Sequence, residues 1–216
     1  MIRACLILVF SLVLVVTPDP SAADWTGEWL FGGAWNAGTT LNIQQAGEPD
    51  LSFEADYSTR PFEQPLYWAL RVGWEGERHG WALDLHHHKL ILENTTPEVE
   101  SFTITHGYNL LSAQHAWLHP GWRFFALAGV VVAHPESTVR GLKKDEKTGW
   151  FNSGYEVAGP VIGGGAATAW HLGSAFEIVF EGRVTWSTVG VAVANGRAQL
   201  DNFAFHLLVG PRFRIR

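Results

Sequence analysis

The sequence predicts an all-β protein that forms a closed antiparallel up-and-down transmembrane β-barrel, and three observations lead to this fold class. First, apolar residues recur at every second position in segments of about ten residues, the length with which a tilted strand crosses a bilayer. Second, 47% of the 216 residues are hydrophobic but the mean hydropathy is only +0.03, so apolar residues are dispersed among polar ones. Third, short turns alternate with long links, as in outer-membrane barrels.

The first 23 residues are expected to be a signal peptide, which leaves residues 24–216 as the outer-membrane barrel. A basic start that ends at Arg3 precedes an apolar run over residues 4–16, and small residues then precede Asp24. That order is typical of secretory signal peptides. The only cysteine, Cys5, lies in this segment, so the exported chain is expected to have neither a disulfide nor a thiol nucleophile.

Eight strands are predicted in the mature sequence, and ten are the alternative. They cover residues 51–60, 66–76, 80–92, 101–117, 122–134, 157–171, 175–188 and 200–215. The alternation is clearest in the last strand, where Phe203, Phe205 and Leu207 share one face. Residues 28–45 are left open, because this glycine-rich stretch could extend the first strand through a bulge or add two short strands.

The connections predict which strand ends face the periplasm. Short turns are expected at 77–80, 119–121 and 172–174, and longer links at 93–100, 135–154 and around 190–200. Outer-membrane barrels have short periplasmic turns and long external loops, which predicts the outer membrane as the location.

Tryptophans gather near the predicted strand ends, where an indole ring suits the membrane interface. They are Trp74, Trp81, Trp117, Trp122 and Trp170. The alternative is a soluble lipocalin-like barrel, in which the apolar face would turn inward and these side chains would be ordinary core.

The predicted polar faces carry nearly balanced charge, and we expect ion pairs to fill the lumen. The residues are Glu54, Asp56, Arg71, Glu75, Asp84, Glu177, Glu181, Arg183 and Arg212. An eight-stranded barrel is just wide enough to be filled by side chains, whereas porins need about 16 strands, so a wide pore is not expected. The net charge of −6 argues against nucleic-acid binding.

The candidate site residues lie on two neighbouring strands. On strand 80–92 the apolar odd positions mark the lipid face, so Asp84, His86 and His88 are expected to point inward and His87 outward.

On strand 101–117, His106 and Ser112 are expected to face the lumen, with a bulge near Gly107. Antiparallel pairing would then bring His86 or His88 near His106.

Three hypotheses fit these residues. The first is a lumen filled by hydrogen-bonded side chains. The second is a hydrolase or acyltransferase site at the outer rim, with Asp84 or Glu136 orienting a histidine and Ser112 or Ser137 as nucleophile. The third is a metal site made by the three inward histidines. No cofactor and no metal are assigned.

The segment from Tyr57 to Phe62, with Arg60-Pro61 inside it, followed by a hairpin through Trp74 and Trp81, is similar to the lipid A palmitoyltransferase family. That family has an Arg-Pro-aromatic first loop and a hairpin whose second strand ends in Asp-Ser at the outer surface. Here the corresponding end reads His-His, and no histidine lies in 29–43 to match the family's catalytic one. The resemblance implies the topology of small outer-membrane barrels and an acyl-modifying activity.

We therefore expect a monomeric outer-membrane barrel with a salt-bridged lumen and a structural or interaction role. The alternative is a lipid A or phospholipid acyl-modifying enzyme, deacylase or acyltransferase, with its site at the outer rim. The expected partners are outer-membrane lipid, meaning lipopolysaccharide and phospholipid, and the barrel assembly machinery. The last strand resembles an assembly-targeting strand, although it ends in Ile215-Arg216 instead of an aromatic residue.

Overall fold

The computed structural model describes residues 24–144 and 153–215, which contain thirteen β-strands. In chain order these are β1 (Asp24–Asn36), β2 (Thr39–Gln45), β3 (Leu51–Ala55), β4 (Tyr57–Ser58), β5 (Trp68–Glu75), β6 (His79–Leu92), β7 (Val99–His119), β8 (Trp122–Ala133), β9 (Glu136–Val139), β10 (Leu142–Lys143), β11 (Glu156–His171), β12 (Phe176–Val193) and β13 (Gly196–Ile215). The predicted signal peptide lies outside the described residues. No helix in these two ranges is long and apolar enough to cross a membrane.

Eight strands form a ring in which each pairs antiparallel with both of its neighbours. The order is β1, β5, β6, β7, β8, β11, β12 and β13, which pairs back to β1. The eight ring strands follow one another around the ring in chain order, with the added strands inserted after β1 and after β8, so the up-and-down topology and the predicted count of eight are confirmed. We call the end where β1 begins and β13 ends the periplasmic end. The other five strands lie at the opposite, external end.

The first ring strand is β1 and not the predicted segment 51–60. In the described chain β3 pairs with β2 alone and β4 pairs with β6, both beyond the ring. The segment alternates because Ala55 and Tyr57 face an apolar core at the external end, so an amphipathic strand in water resembles a lipid-facing one. Three glycines conceal the alternation of β1. The alternative of ten ring strands is wrong.

The predicted long link at 190–200 is also wrong. β12 and β13 continue past the ring as one hairpin, paired as far as Val193 and Gly196 around a two-residue turn. Asn195 in that turn has φ 57°, in the left-handed region that asparagine tolerates and tight hairpins require. The predicted links 93–100 and 135–154 do lie at the external end, and residues 145–152 fall outside the described chain.

Both faces of β12 change polarity near Trp186. From Phe176 to Trp186 the outward side chains are mainly apolar, while most of the inward ones are polar and buried. Beyond Thr188 the outward side chains are polar or small, and Val189 and Val191 are buried inside. The outer apolar band is therefore about ten residues long, which for a tilted strand is about 25 Å. That height matches the hydrocarbon layer, so the external end of this hairpin stands in water.

Aromatic side chains border the apolar band at both ends. The five predicted tryptophans all lie on the outward face near the periplasmic end. At the external end the outward aromatic residues are Trp35, Trp68, Trp186 and Phe203. Between the two belts, large apolar side chains are open to the surroundings, and Leu83 is 67% exposed. The apolar face is thus outside, which is the reverse of the soluble barrel considered above.

An apolar core fills the space enclosed by the external extension. Its members come from the ring strands and from the added strands, and include Leu41, Ile43, Leu90, Val99, Phe102, Ile104, Val139, Val189, Val191 and Leu200. The interior therefore changes from polar at the level of the membrane to apolar above it.

Candidate functional site

A network of ion pairs fills the periplasmic half of the lumen. Arg71 lies at its centre, with Nη1 2.8 Å from Glu181 Oε2, Nε 2.9 Å from Asp84 Oδ2 and Nη1 2.5 Å from Glu28 Oε2. Arg183 binds the same Asp84 at 3.1 Å. Charges in a low-dielectric interior are tolerated only when paired, and each arginine here bridges two or more carboxylates.

Arg123 and Arg212 extend this network towards the periplasmic end. Arg123 contacts Glu28, Glu75 and Glu181, and Arg212 contacts the same Glu28 and Glu75. These side chains have only a few per cent of their surface exposed. The two arginines therefore compensate carboxylates that would otherwise be buried without a counter-charge.

The structure confirms seven of the nine predicted lumen charges and corrects two. Glu54 and Asp56 are exposed at the external end, where Glu54 accepts a hydrogen bond from Thr40. Glu28 was missed because its strand was left unassigned. Arg123 was missed although it sits between two exposed aromatic residues on β8, a pattern that marks it as inward.

A layer of histidines lies above the ion pairs. His86, His88 and His206 are fully buried, and the His206 ring centroid is 4.9 Å from that of His86 and 5.1 Å from that of His88. His206 is hydrogen-bonded to Tyr67 Oη at 2.5 Å and to Thr185 Oγ1 at 2.8 Å. The inward directions predicted for His86 and His88 are therefore correct. His206 was not among the predicted site residues, although the alternation of the last strand placed it on the polar face.

Two buried atoms of this layer lack a hydrogen-bond partner in the described chain, His86 Nε2 and His88 Nδ1. The other nitrogens are occupied. His86 Nδ1 lies 3.4 Å from Arg183 Nη1, and His88 Nε2 donates to Asn36 Oδ1 at 3.1 Å. Hydrogen bonds therefore fix the orientation of the rings, while one nitrogen each of His86 and His88 has no partner in the described chain.

His106 does not join this layer, which corrects the predicted neighbourhood with His86 and His88. Its side chain is 59% exposed at the external end and its Nδ1 is 2.6 Å from Glu136 Oε1. The predicted bulge is present, since the β6–β7 register shifts between His88 and Leu90 and Gly107 has φ 153°. The irregular backbone turns His106 outward.

His87 lies on the outward face of β6, as predicted, but it is covered. Its ring stacks on Trp68 with 5.5 Å between centroids, and its Nδ1 donates to Asn109 Oδ1 at 2.8 Å. The pair of rings belongs to the external aromatic belt.

The predicted serine nucleophiles are not joined to a histidine. Ser112 is the cross-strand partner of Asp84, yet its buried Oγ has no hydrogen-bond partner within the described ranges. The Asp84 carboxylate is taken up by Arg71, Arg183 and Gln114, so it does not orient an imidazole. Ser137 Oγ is likewise buried and unpartnered in the part of the chain that is described. A nucleophile–base–carboxylate chain is therefore not assembled from these residues.

Metal binding finds no support in the described residues, where no group of three or more His, Cys, Asp or Glu side chains is placed to hold an ion.

The wall of the ring has a gap on the external side of this histidine layer. The β1–β5 ladder ends at the pair Phe31 and Trp68, and β4 meets β6 only at Ile91 and Leu92. Residues 32–36 of β1 and 88–90 of β6 therefore lack a strand partner on the sides that face one another. The segment 59–67, which we call the wall panel, fills this gap.

The wall panel is attached by side chains instead of a strand ladder. Asn36 Nδ2 donates to Thr59 Oγ1 at 3.0 Å, and Lys89 Nζ donates to the carbonyl oxygens of Arg60 and Glu63 at 2.7 and 2.9 Å. At the exposed rim, the Ser58 hydroxyl and the Arg60 guanidinium hold the pKa of the Glu93 carboxyl below its usual range.

Two further residues of the panel face the surrounding lipid. Pro61 lies over Gly33, where an added Cβ would be 3.2 Å from the proline Cγ. Phe62 is 89% exposed. The panel thus completes the wall at the level of the external aromatic belt, with Pro61 and Phe62 on its outward side.

An eight-stranded ring with an apolar outer band, two aromatic belts and a charged, filled lumen has the architecture of a β-barrel that spans a bilayer. The chain is a small outer-membrane β-barrel. No family model matches this barrel, and no curated protein matches it.

The solved structures to which the barrel is similar are bacterial outer-membrane proteins. They include the outer membrane protein OprG from Pseudomonas aeruginosa, with a TM-score of 0.49 and 8% identity over 90% of this chain and 97% of that one. The attachment invasion locus protein Ail of Yersinia pestis has a TM-score of 0.39 and 8% identity, covering 88% and 97%. Neisserial surface protein A has a TM-score of 0.40 and 10% identity, covering 89% and 97%.

Proposed function

We propose that this barrel does not conduct and that it has a structural or interaction role in the outer membrane. The observation that carries the proposal is the filling of the interior along its whole height. Ion pairs occupy the periplasmic half, the histidine layer lies above them, and an apolar core closes the external end.

Each layer opposes permeation for a different physical reason. The arginines and carboxylates of the lower layer are mutually satisfied, so displacing one leaves a buried charge without a partner. The upper core, with Val189, Val191 and Leu200 inside, offers no polar group to an ion that has shed water.

The test is conductance of the purified, folded protein in planar bilayers. We expect the current to stay at the level of the protein-free bilayer. The control is a variant in which Val191→Ser and Leu200→Ser make the upper core polar while the ion pairs remain. Discrete, long-lived channels in the unmodified protein would contradict the proposal.

A second candidate function is acyl modification of an outer-leaflet lipid, and the wall panel favours it. The panel separates the lipid-facing surface from His88 through a single layer of side chains, because Asn36 contacts both Thr59 of the panel and His88 of the layer. A lipid ester that displaced the panel would meet imidazole nitrogens that are buried and unpartnered in the described structure. An imidazole so placed can act as a general base.

Mass spectrometry of lipid A and phospholipids decides whether this activity exists. We expect cells that express the protein to show a changed acyl-chain pattern, which His88→Ala removes and His106→Ala preserves, since His106 lies outside the layer. A disulfide between Gly33→Cys and Pro61→Cys would hold the panel closed, and we expect reduction to restore activity. An identical acyl pattern with and without the protein eliminates the enzyme.

A further inference from the structure

We propose that the barrel binds a phospholipid of the inner leaflet in a groove on its outer wall near the periplasmic end, with an acyl chain in the groove. The groove has a volume of about 350 Å³. It is lined by Trp25, Val72, Gly73, Trp74, Trp81, Ala82, Leu83 and Ala113. This volume is at the lower end of the range for ligand sites, about 300–1,000 Å³, and such sites are mostly apolar.

The strand register builds this groove from two rows of outward side chains. Trp25, Trp74 and Trp81 are successive cross-strand partners and form the row nearest the periplasm. One pleat further into the band, Val72 pairs with Leu83 and Leu83 with Ala113. The large indoles therefore stand beside smaller side chains, which leaves a depression beneath the tryptophan row.

The tryptophan row is held in place by its neighbours. The Trp81 ring stacks on His115 with 4.5 Å between centroids and an interplanar angle of 25°. His115 also stacks on His79 at 5.3 Å and meets Trp117 edge-on at 4.6 Å. A wall of fixed rings loses little conformational entropy when it binds a ligand.

The indole N–H of Trp81 is buried and has no hydrogen-bond acceptor within the described chain. Buried indole N–H groups usually find a partner, so this one indicates an acceptor that the protein itself does not supply. An ester carbonyl or phosphate oxygen at the top of an acyl chain is such an acceptor.

Position and charge select a phospholipid as the occupant. The groove opens to the apolar band at the periplasmic end, which is the inner leaflet, where the lipids are phospholipids. Arg78, in the β5–β6 turn directly below the groove, is exposed, and its carbonyl oxygen accepts a hydrogen bond from the Leu118 N–H at 2.8 Å. The Arg78 guanidinium can bind a lipid phosphate through two parallel N–H groups, although Glu77 in the same turn reduces the local positive charge.

The test measures how much phosphatidylethanolamine stays on the protein in native mass spectrometry. We expect Ala113→Leu, which fills the groove, to lower retained phospholipid about tenfold, because the added side chain takes the space of the chain. The matched control is Ala128→Leu. Ala128 is the cross-strand partner of Ala113 on the same outer face, but it does not line the groove.

A second variant keeps the test decisive if Ala113→Leu fails to fold. Trp81→Phe retains a ring and removes the N–H donor, and we expect retention to fall about fivefold, the size of one hydrogen bond. Folding is checked by the heat-modifiable migration of the barrel on gels. Equal retention in the unmodified protein and the folded groove variants overturns the proposal, as does an equal loss in Ala128→Leu.

Discussion

For single residues of the lumen, the need to pair each buried charge restricts substitution more than the fit of the side chain's shape does. Arg71 shows this most clearly, since it contacts carboxylates from three other strands, namely Glu28 on β1, Asp84 on β6 and Glu181 on β12. Its removal would leave these acids close together and short of a counter-charge. The same argument explains why alternation placed seven of the nine predicted lumen charges correctly. Within the membrane, a charged side chain on the face opposite the lipid-facing one can lie only in the lumen.

Replacing Arg71 by Met is expected to lower the free energy of unfolding by about 3–5 kcal/mol, the usual effect of removing one partner from a buried ion pair. The measurement is equilibrium unfolding by urea in lipid vesicles, followed by tryptophan fluorescence. Arg197→Met is the control, because Arg197 is exposed on the external hairpin and in the described chain donates only to the Gly190 carbonyl, so its loss should cost no more than about 1 kcal/mol. Equal midpoints and slopes for the two variants would show that the network contributes no stability.

The ring strands approach one another so closely at several glycines that a methyl group cannot be added. At the β1–β13 seam, a Cβ on Gly210 would lie 2.1 Å from the Trp29 carbonyl oxygen and 2.9 Å from the Leu30 Cα. Gly27, on the other strand of the same seam, has no atom within 4 Å of an added Cβ. The two positions therefore separate backbone crowding from the intrinsic effect of alanine.

Gly210→Ala is expected to destabilise the folded barrel by about 1–3 kcal/mol, as overpacking does elsewhere. Gly27→Ala should change stability by no more than about 0.5 kcal/mol. The readout is the temperature at which the folded band is lost on cold gels. If both variants lose that band at the same temperature, the seam has room to adjust and the crowding argument is wrong.

The strand predictions succeeded where one rule applied along a whole strand and failed where the environment changed. Alternation identified seven ring strands because lipid outside and charge inside persist over their length. It selected 51–60 in place of β1, because β3 alternates over an apolar core in water while glycines weaken the pattern of β1. On β7 the apolar Phe102 and Ile104 face inward for the same reason, because at the external end the interior is an apolar core.

The sequence predicted whether the side chain of a site residue points into the lumen, but not which other residues it contacts. Alternation placed Asp84, His86 and His88 in the lumen. The local bulge that turns His106 outward and the cross-ring position of His206 depend on backbone irregularity and ring closure, which no single strand encodes.

At the scale of the whole molecule, the change from apolar to polar outward side chains along the strands sets how deeply the barrel lies in the membrane and which end faces outward. The apolar band ends between Val184 and Thr188 on β12, and the external hairpin continues beyond it. Glu77 lies in a short turn at the opposite end. The chain from residue 24 onward contains no cysteine, so single cysteines can report on each level without interference.

Labelling of intact cells with a membrane-impermeant maleimide is expected to modify Thr188→Cys and to spare both Val184→Cys and Glu77→Cys. Val184 faces lipid, which excludes the charged reagent, whereas Glu77 is shielded by the membrane itself. Permeabilising the outer membrane should expose Glu77→Cys while Val184→Cys stays unmodified, and denaturation in detergent should expose all three as a loading control. Labelling of Glu77→Cys but not Thr188→Cys in intact cells would reverse the assigned orientation, and it would move the phospholipid groove to the opposite leaflet.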